Sequence, residues 1–227
     1  MTESYLCFAP QHNTKGRRDA DEFKRQAKYF LQHHQQDPSM LHVINNKMTK
    51  AKMRQEVLDI IAENEGIIGV FFFCHGYRTG IQFGFDVKTV DALAVAIREA
   101  TVCRDVAVCF YSCDVARDAD RNRQDDLADV MGGDGGFCDE MRDALCRAGA
   151  IYCHVDGHTT TGHTTRNPFV RRFRGDGSTT GGVGGFYIVP RTNKKLWPKW
   201  RKALRTTFRF DYPVLTVQEI HAYLNRH

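Results

Sequence analysis

The residues with the capacity for chemistry fall at two points of the chain, Cys74-His75-Gly76-Tyr77 and Ser112-Cys113-Asp114. Each follows a short apolar run, 67–74 in the first case and 106–111 in the second. A free thiol with a pKa of ~8.5 is only a few per cent ionised at neutral pH, so a cysteine becomes a nucleophile when a base lies beside it. Histidine exchanges a proton in that range. Gly76 leaves the backbone beside the histidine uncovered, so its N–H and that of Cys113 could together hold the oxyanion of a tetrahedral intermediate. Acyl transfer is the reaction class these motifs suit, provided that both reach the same edge of the fold.

The elements that would bring them there can be read from periodicity. Runs at 5–9, 40–44, 67–74, 106–111, 150–155 and 186–189 have strand length and are apolar nearly throughout, as strands covered on both faces are. Between them, Ala20, Phe23, Ala27, Phe30 and Leu31 form a helical stripe opened by Asp19 and Glu22 at capping-box spacing. A second stripe holds Met53, Val57, Ile60 and Ile61. A third, Val90, Leu93 and Ile97, follows Thr89 as N-cap, and a fourth, Phe137, Met141, Leu145 and Ala148, stops at Gly149. This alternation predicts an α/β fold, a three-layer α-β-α sandwich around a mostly parallel sheet of about six strands. Ligands bind beyond the carboxyl ends of such strands, where His75 and Cys113 emerge together if their strands are parallel neighbours.

With these blocks in place, the chain resembles the caspase-like (clan CD) cysteine peptidases, a group that includes caspases, metacaspases, gingipains and CHAT domains. The likeness rests on GVFFFCHGY (69–77), VAVCFYSCDVARD (106–118), the short IQFGF after the histidine, and DEMRDALCRAGAIY (139–152), and covers roughly residues 4–190. It implies a caspase-like sheet and a cysteine endopeptidase. Cys113 would attack the peptide carbonyl, His75 would protonate the leaving amine, and the N–H groups of Gly76 and Cys113 would hold the oxyanion. No metal or organic cofactor is required for that chemistry. Its partner is a protein or peptide substrate.

For the residue before the scissile bond, P1, the resemblance offers two patterns: arginines that accept Asp, or acids that accept Arg or Lys. Arg17 and Arg18 lie beyond the first strand, Asp114 follows the nucleophile, and Asp156 is expected just beyond the fifth strand. The reading leans to Asp156, with Asp114, and hence to a basic P1; Asp156 also reads as a plain turn residue before Gly157. Residues 114–136 are long, polar and glycine-tipped, with seven Asp and three Arg, and suit a functional loop. Arg117, Arg121 and Arg123 are candidate points of self-cleavage there if P1 is basic. Residues 175–185 hold six glycines and form the other irregular stretch.

Composition bounds the rest. With 227 residues, 42% of them hydrophobic, the chain is long enough to fold on burial alone. Net charge is +5, but residues 166–210 carry twelve Lys/Arg and one acid, leaving −6 elsewhere. The division reads as a catalytic domain, 1–190, and a basic extension, 191–227, that packs on it. The Leu196, Trp200, Ala203 and Leu204 stripe favours docking over binding of nucleic acid or an anionic surface through 191–209. The alternative to an enzyme is a catalytically silent caspase-fold module that binds a partner through this tail. Neither a membrane-length apolar run nor a leader-like N-terminus is present, which predicts a cytoplasmic protein whose eight cysteines are free thiols. Of these, Cys7, Cys74, Cys109 and Cys153 lie in or at the ends of apolar runs, as small hydrophobes. Cys153, His154, His158 and His163 lack the paired spacing of a zinc site, and the three histidines read as loop residues.

Overall fold

The computed structural model describes residues 4–102, 105–117, 119, 135–159 and 170–181. The strand expected at 186–189, the extension at 191–227, His163, and the loop arginines Arg121 and Arg123 lie outside the described residues.

The strands are β1 (Ser4–Pro10), β2 (Leu41–Ile44), β3 (Ile67–Phe73), β4 (Gly76–Tyr77), β5 (Gly80–Ile81), β6 (Ala107–Tyr111), β7 (His154–His158), β8 (Val170–Arg174) and β9 (Thr179–Gly181). The helices are α1 (Asp19–His33), α2 (Lys50–Glu63), α3 (Val90–Ala100) and α4 (Phe137–Arg147). The main sheet runs β2-β1-β3-β6-β7-β8-β9, parallel from β2 to β7 and antiparallel for β8 and β9, while β4 and β5 make a small hairpin. The α/β sandwich with a mostly parallel sheet is therefore the architecture of the described chain.

The continuous apolar character of the inner strands has a direct cause. Successive side chains of β3 point to opposite faces, and both faces are covered. Phe71 and Phe73 join Phe23, Ala27, Phe30 and Leu31 of α1 in one core, with Cys7, Cys109 and Tyr111. Val70 and Phe72 join Met53, Val57 and Ile61 of α2, Leu93 and Ile97 of α3, and Met141 and Leu145 of α4 in the other. Across that second face Phe8, Phe72 and Phe110 stack, with centroids 5.2 and 5.1 Å apart. Offset pairs of this kind add about 0.5–1.5 kcal/mol each beyond their burial. The strands that carry the two motifs are thus buried on both faces.

Four features differ from the sequence expectation. The fifth strand lies at His154–His158, not at 150–155, because the apolar residues Ile151 and Tyr152 are turn residues, each 58% exposed. Residues 170–174, part of the basic window 166–210 with no strand expected there, form β8, with Arg171 buried and Arg172 paired to Asp156. Part of the glycine-rich stretch is the turn into β9. Thr89 sits at the N-cap of α3, but its hydroxyl serves Asp86 instead of the helix, accepting from the Asp86 N–H at 2.9 Å.

Candidate active site

β3 and β6 are parallel neighbours in the register Phe73↔Tyr111, so the chain leaves both strands at one level. The next residues touch, with Cys74 Sγ 3.4 Å from Ser112 Oγ. One step further the backbones meet. A Cβ placed on Gly76 would lie 2.7 Å from the Cys113 carbonyl oxygen, 2.7 Å from Ser112 Cβ and 2.6 Å from Val115 Cγ1. Only glycine lets the His75 turn and the Cys113 turn approach this closely. The expected meeting of the two motifs is a backbone contact, and it gives Gly76 a packing reason to be glycine whatever its N–H does.

His75 is held from several sides. Its carbonyl accepts from the Gln82 N–H at 2.8 Å, and its N–H donates to Gln82 Oε1 at 3.3 Å, so the β5 side of the hairpin fixes the backbone. Its ring rests against α1. Asp19 Oδ2 is 2.5 Å from His75 Nε2, and Phe23, one turn along the same helix face, meets the imidazole edge-on with centroids 5.1 Å apart. The capping-box expectation is corrected here. The N-cap is Arg18, without a side-chain cap, and Asp19 is the first helical residue, its carboxylate turned to the histidine. Glu22 pairs instead with Arg25 and Gln26.

Thr14 anchors the other side of that carboxylate. Its N–H donates to Asp19 Oδ1 at 2.7 Å and its hydroxyl to Oδ2 at 2.5 Å. Desolvation alone would raise the Asp19 pKa, but the hydrogen bonds from Thr14 and His75 outweigh it and hold the carboxyl well below its ordinary range. Asp19 is therefore an ionised acceptor on the histidine. Sequence reasoning missed this role because Asp19 lies 56 residues from His75, and its only local signal, Glu22 three residues on, pointed to a helix cap.

The described cysteines sort themselves by burial. Cys7, Cys109 and Cys138 are buried thiols whose pKa is pushed well up by desolvation, and Cys74, adjacent to the histidine, is pushed up to about 12 by its burial. Such thiols are inert at neutral pH. Cys113 differs, being partly exposed in the turn beyond β6. That turn is pinned from three elements: Ala116 N–H donates to the His158 carbonyl of β7 at 3.1 Å, Cys138 N–H of α4 to the Val115 carbonyl at 3.0 Å, and Arg171 of β8 to the Ala116 carbonyl at 2.9 Å. Asp114 takes a left-handed backbone at φ 59°, a conformation non-glycine residues adopt at a cost and hold only where neighbours enforce it.

The two proposed specificity acids separate. Asp114 lies on the Cys113 turn, with Oδ1 3.5 Å from Arg117 Nη1. Asp156 was expected beyond the fifth strand, but it sits in the middle of β7, opposite Cys109, and is 2% exposed. Both its oxygens are taken by Arg172, at 2.7 and 2.6 Å, so a substrate cation could reach it only by displacing that guanidinium. Arg17 and Arg18 are exposed on the loop between β1 and α1, just before Asp19. His154 and His158 are strand residues, not loop residues, and His158 is buried beside Tyr111. Among the described residues no three of His, Cys, Asp and Glu gather to hold a metal ion.

What fold and site define together is an α/β protein whose parallel sheet presents a histidine, oriented by an aspartate, against the turn of a partly exposed cysteine. No protein-family model matches the chain, and no curated protein matches its sequence. Among the described residues no helix is long and apolar enough to cross a membrane.

Proposed function

We propose that this chain is a caspase-like cysteine endopeptidase that hydrolyses peptide bonds through His75 and Cys113. The observation that carries the reading is the hydrogen bond from His75 to Asp19 on a turn that packs against the backbone of Cys113. With Asp19 on Nε2, the remaining ring nitrogen, Nδ1, is the one left to take the thiol proton. The thiolate sulfur then bonds to the peptide carbonyl carbon, and the oxyanion lies within the N–H groups of Gly76 and Cys113. His75 returns the proton to the amine as the C–N bond breaks, and water releases the acyl group by the reverse sequence. Asp19 acts as a positioning residue, fixing the ring and balancing the charge on the imidazolium.

The favoured P1 residue is Arg or Lys, with Asp114 as the acid beside the nucleophile, since Asp156 is committed to Arg172. A basic P1 would make Arg117, on the same turn, and the arginines of the following loop substrates of the enzyme itself. Reporter peptides carrying Arg, Lys or Asp at P1 test the proposal. Hydrolysis of the basic reporters that is lost in Cys113→Ala supports it; hydrolysis of the Asp reporter alone would move the specificity to Arg17 and Arg18. Equal inertness of wild type and variant after limited proteolysis of the 114–136 loop would overturn it.

A further inference from the structure

A second pair of reactive groups lies away from this site, at the opposite end of α4. Cys146 is in the last turn of the helix, and Cys153 immediately precedes β7. Their sulfurs are 3.9 Å apart. Cys146 is partly exposed and its thiol lies 3.6 Å from the Gly175 carbonyl, while Cys153 is buried, with its sulfur 3.9 Å from the Arg142 carbonyl. The connection between them turns sharply, through Gly149 at φ 92° and a hydrogen bond from Ala150 N–H to the Leu145 carbonyl at 2.9 Å. This turn brings two cysteines seven residues apart in sequence side by side.

We propose that Cys146 and Cys153 form a reversible intramolecular disulfide, a redox-modification site independent of the peptidase reading. A disulfide bond is about 2.05 Å long, so the sulfurs need to close by about 1.9 Å. The connection carries Ile151 and Tyr152, whose side chains are more than half exposed, so adjustment there disturbs little side-chain packing. The oxidant is a low-molecular-weight disulfide such as oxidised glutathione. The Cys146 thiolate attacks one of its sulfurs, forming a mixed disulfide and expelling one glutathione thiolate, which takes up a proton. Cys153 then loses its proton and attacks the Cys146 sulfur, expelling the second glutathione. Two protein thiols are oxidised, and one disulfide is reduced to two thiols.

The order of attack follows from burial. Desolvation, and the neighbouring Cys146, push the Cys153 thiol up to about 12, so it stays protonated in the resting protein and acts second. Cys146 is the group an oxidant can reach. The helix between this pair and the Cys113 turn is eleven residues long, so the bridge would lock one end of α4 while its other end continues to support the nucleophile's turn through Cys138.

The test uses the full chain, treated with a gradient of oxidised against reduced glutathione, acid-quenched, alkylated and digested with trypsin. Cleavage after Arg142, Arg147 and Arg166 releases residues 143–147 and 148–166 as separate peptides that only a disulfide can join. The proposal expects the joined peptide as the main product at the oxidising end, lost on reduction and absent in Cys146→Ser. It is overturned if Cys146 is recovered as a stable glutathione adduct with Cys153 alkylatable on denaturation. It is equally overturned if both thiols remain free under conditions that oxidise Cys113.

Discussion

Asp19 and Asp156 are both carboxylates held close against a basic side chain of the same sheet-centred fold, yet their surroundings make them different things. Asp156 lies inside the sheet, on the strand next to the Cys113 strand, and both its oxygens are closed by a guanidinium that cannot give up its proton. Asp19 lies past the carboxyl end of the strands, and its partner is an imidazole that can. One pair is sealed and structural. The other is open to the edge where substrate would arrive, and its partner can carry a proton away. Where each carboxylate lies, inside the sheet or beyond the ends of its strands, and whether its partner can release a proton distinguish the two pairs.

The largest effect is expected from substitution in the Asp19–His75 pair. Asp19→Asn keeps the shape and removes the charge, and kcat/KM on a cleaved reporter should fall on the order of 10²–10⁴-fold while the variant stays folded. A change of less than twofold would reduce Asp19 to a surface acid. At the sealed pair the loss should instead appear in stability. Asp156→Ala leaves the Arg172 charge buried without its partner and should cost about 3–5 kcal/mol in urea unfolding, whereas Asp156→Leu with Arg172→Met should recover most of it. If the single and double variants were equally unstable, the pair would not be the source of the cost.

Smaller effects sharpen the same contrast. Because the Asp19 pKa is depressed on folding, its contribution to stability is present above the unfolded carboxyl value of about 4 and disappears as pH falls through the lower folded value. Acid unfolding curves of wild type and Asp19→Asn should therefore lie apart at neutral pH and converge below about pH 4. Parallel curves down to the lowest pH would show that the carboxyl is not held in its ionised form. Thr14→Val removes one of the two anchors on Asp19 and should lower kcat/KM by about tenfold or less, near the ~1 kcal/mol of one hydrogen bond, with Thr14→Ser retaining the rate. Loss of rate in both variants alike would assign the effect to the loop and not to the hydroxyl.

The difference between these two regions also explains what the sequence made legible. Strands β1, β3 and β6 announce themselves because both their faces are buried in apolar cores, the edge strand β2 by its short apolar run alone, and the stripes of α1 to α4 follow from one-sided burial. The meeting of the His75–Gly76 and Cys113 turns at one sheet edge is legible because each lies within three residues of the end of such a strand. The expected fifth strand, 150–155, overlaps β7 only at its start, and β8 has no counterpart in the expectation, because these strands bury polar side chains against one another: Asp156 on Arg172, with Arg171 turned to the Ala116 carbonyl. Read along the chain, those residues resemble a turn and a basic surface. Read across the sheet, they complete each other. Asp19 escaped for a related reason, because its partners are a loop threonine and a histidine in the turn after β3, 56 residues away.

If Cys113 is a nucleophile activated by His75, a stoichiometric label reports it more directly than turnover. A peptidyl acyloxymethyl ketone with Lys at P1, added to the full chain at neutral pH and read by intact mass and peptide mapping, should modify Cys113 once per molecule. The label should be absent in Cys113→Ala and slowed by orders of magnitude in His75→Ala. Labelling of Cys146 in preference to Cys113, or labelling of Cys113 at an unchanged rate in His75→Ala, would contradict the account.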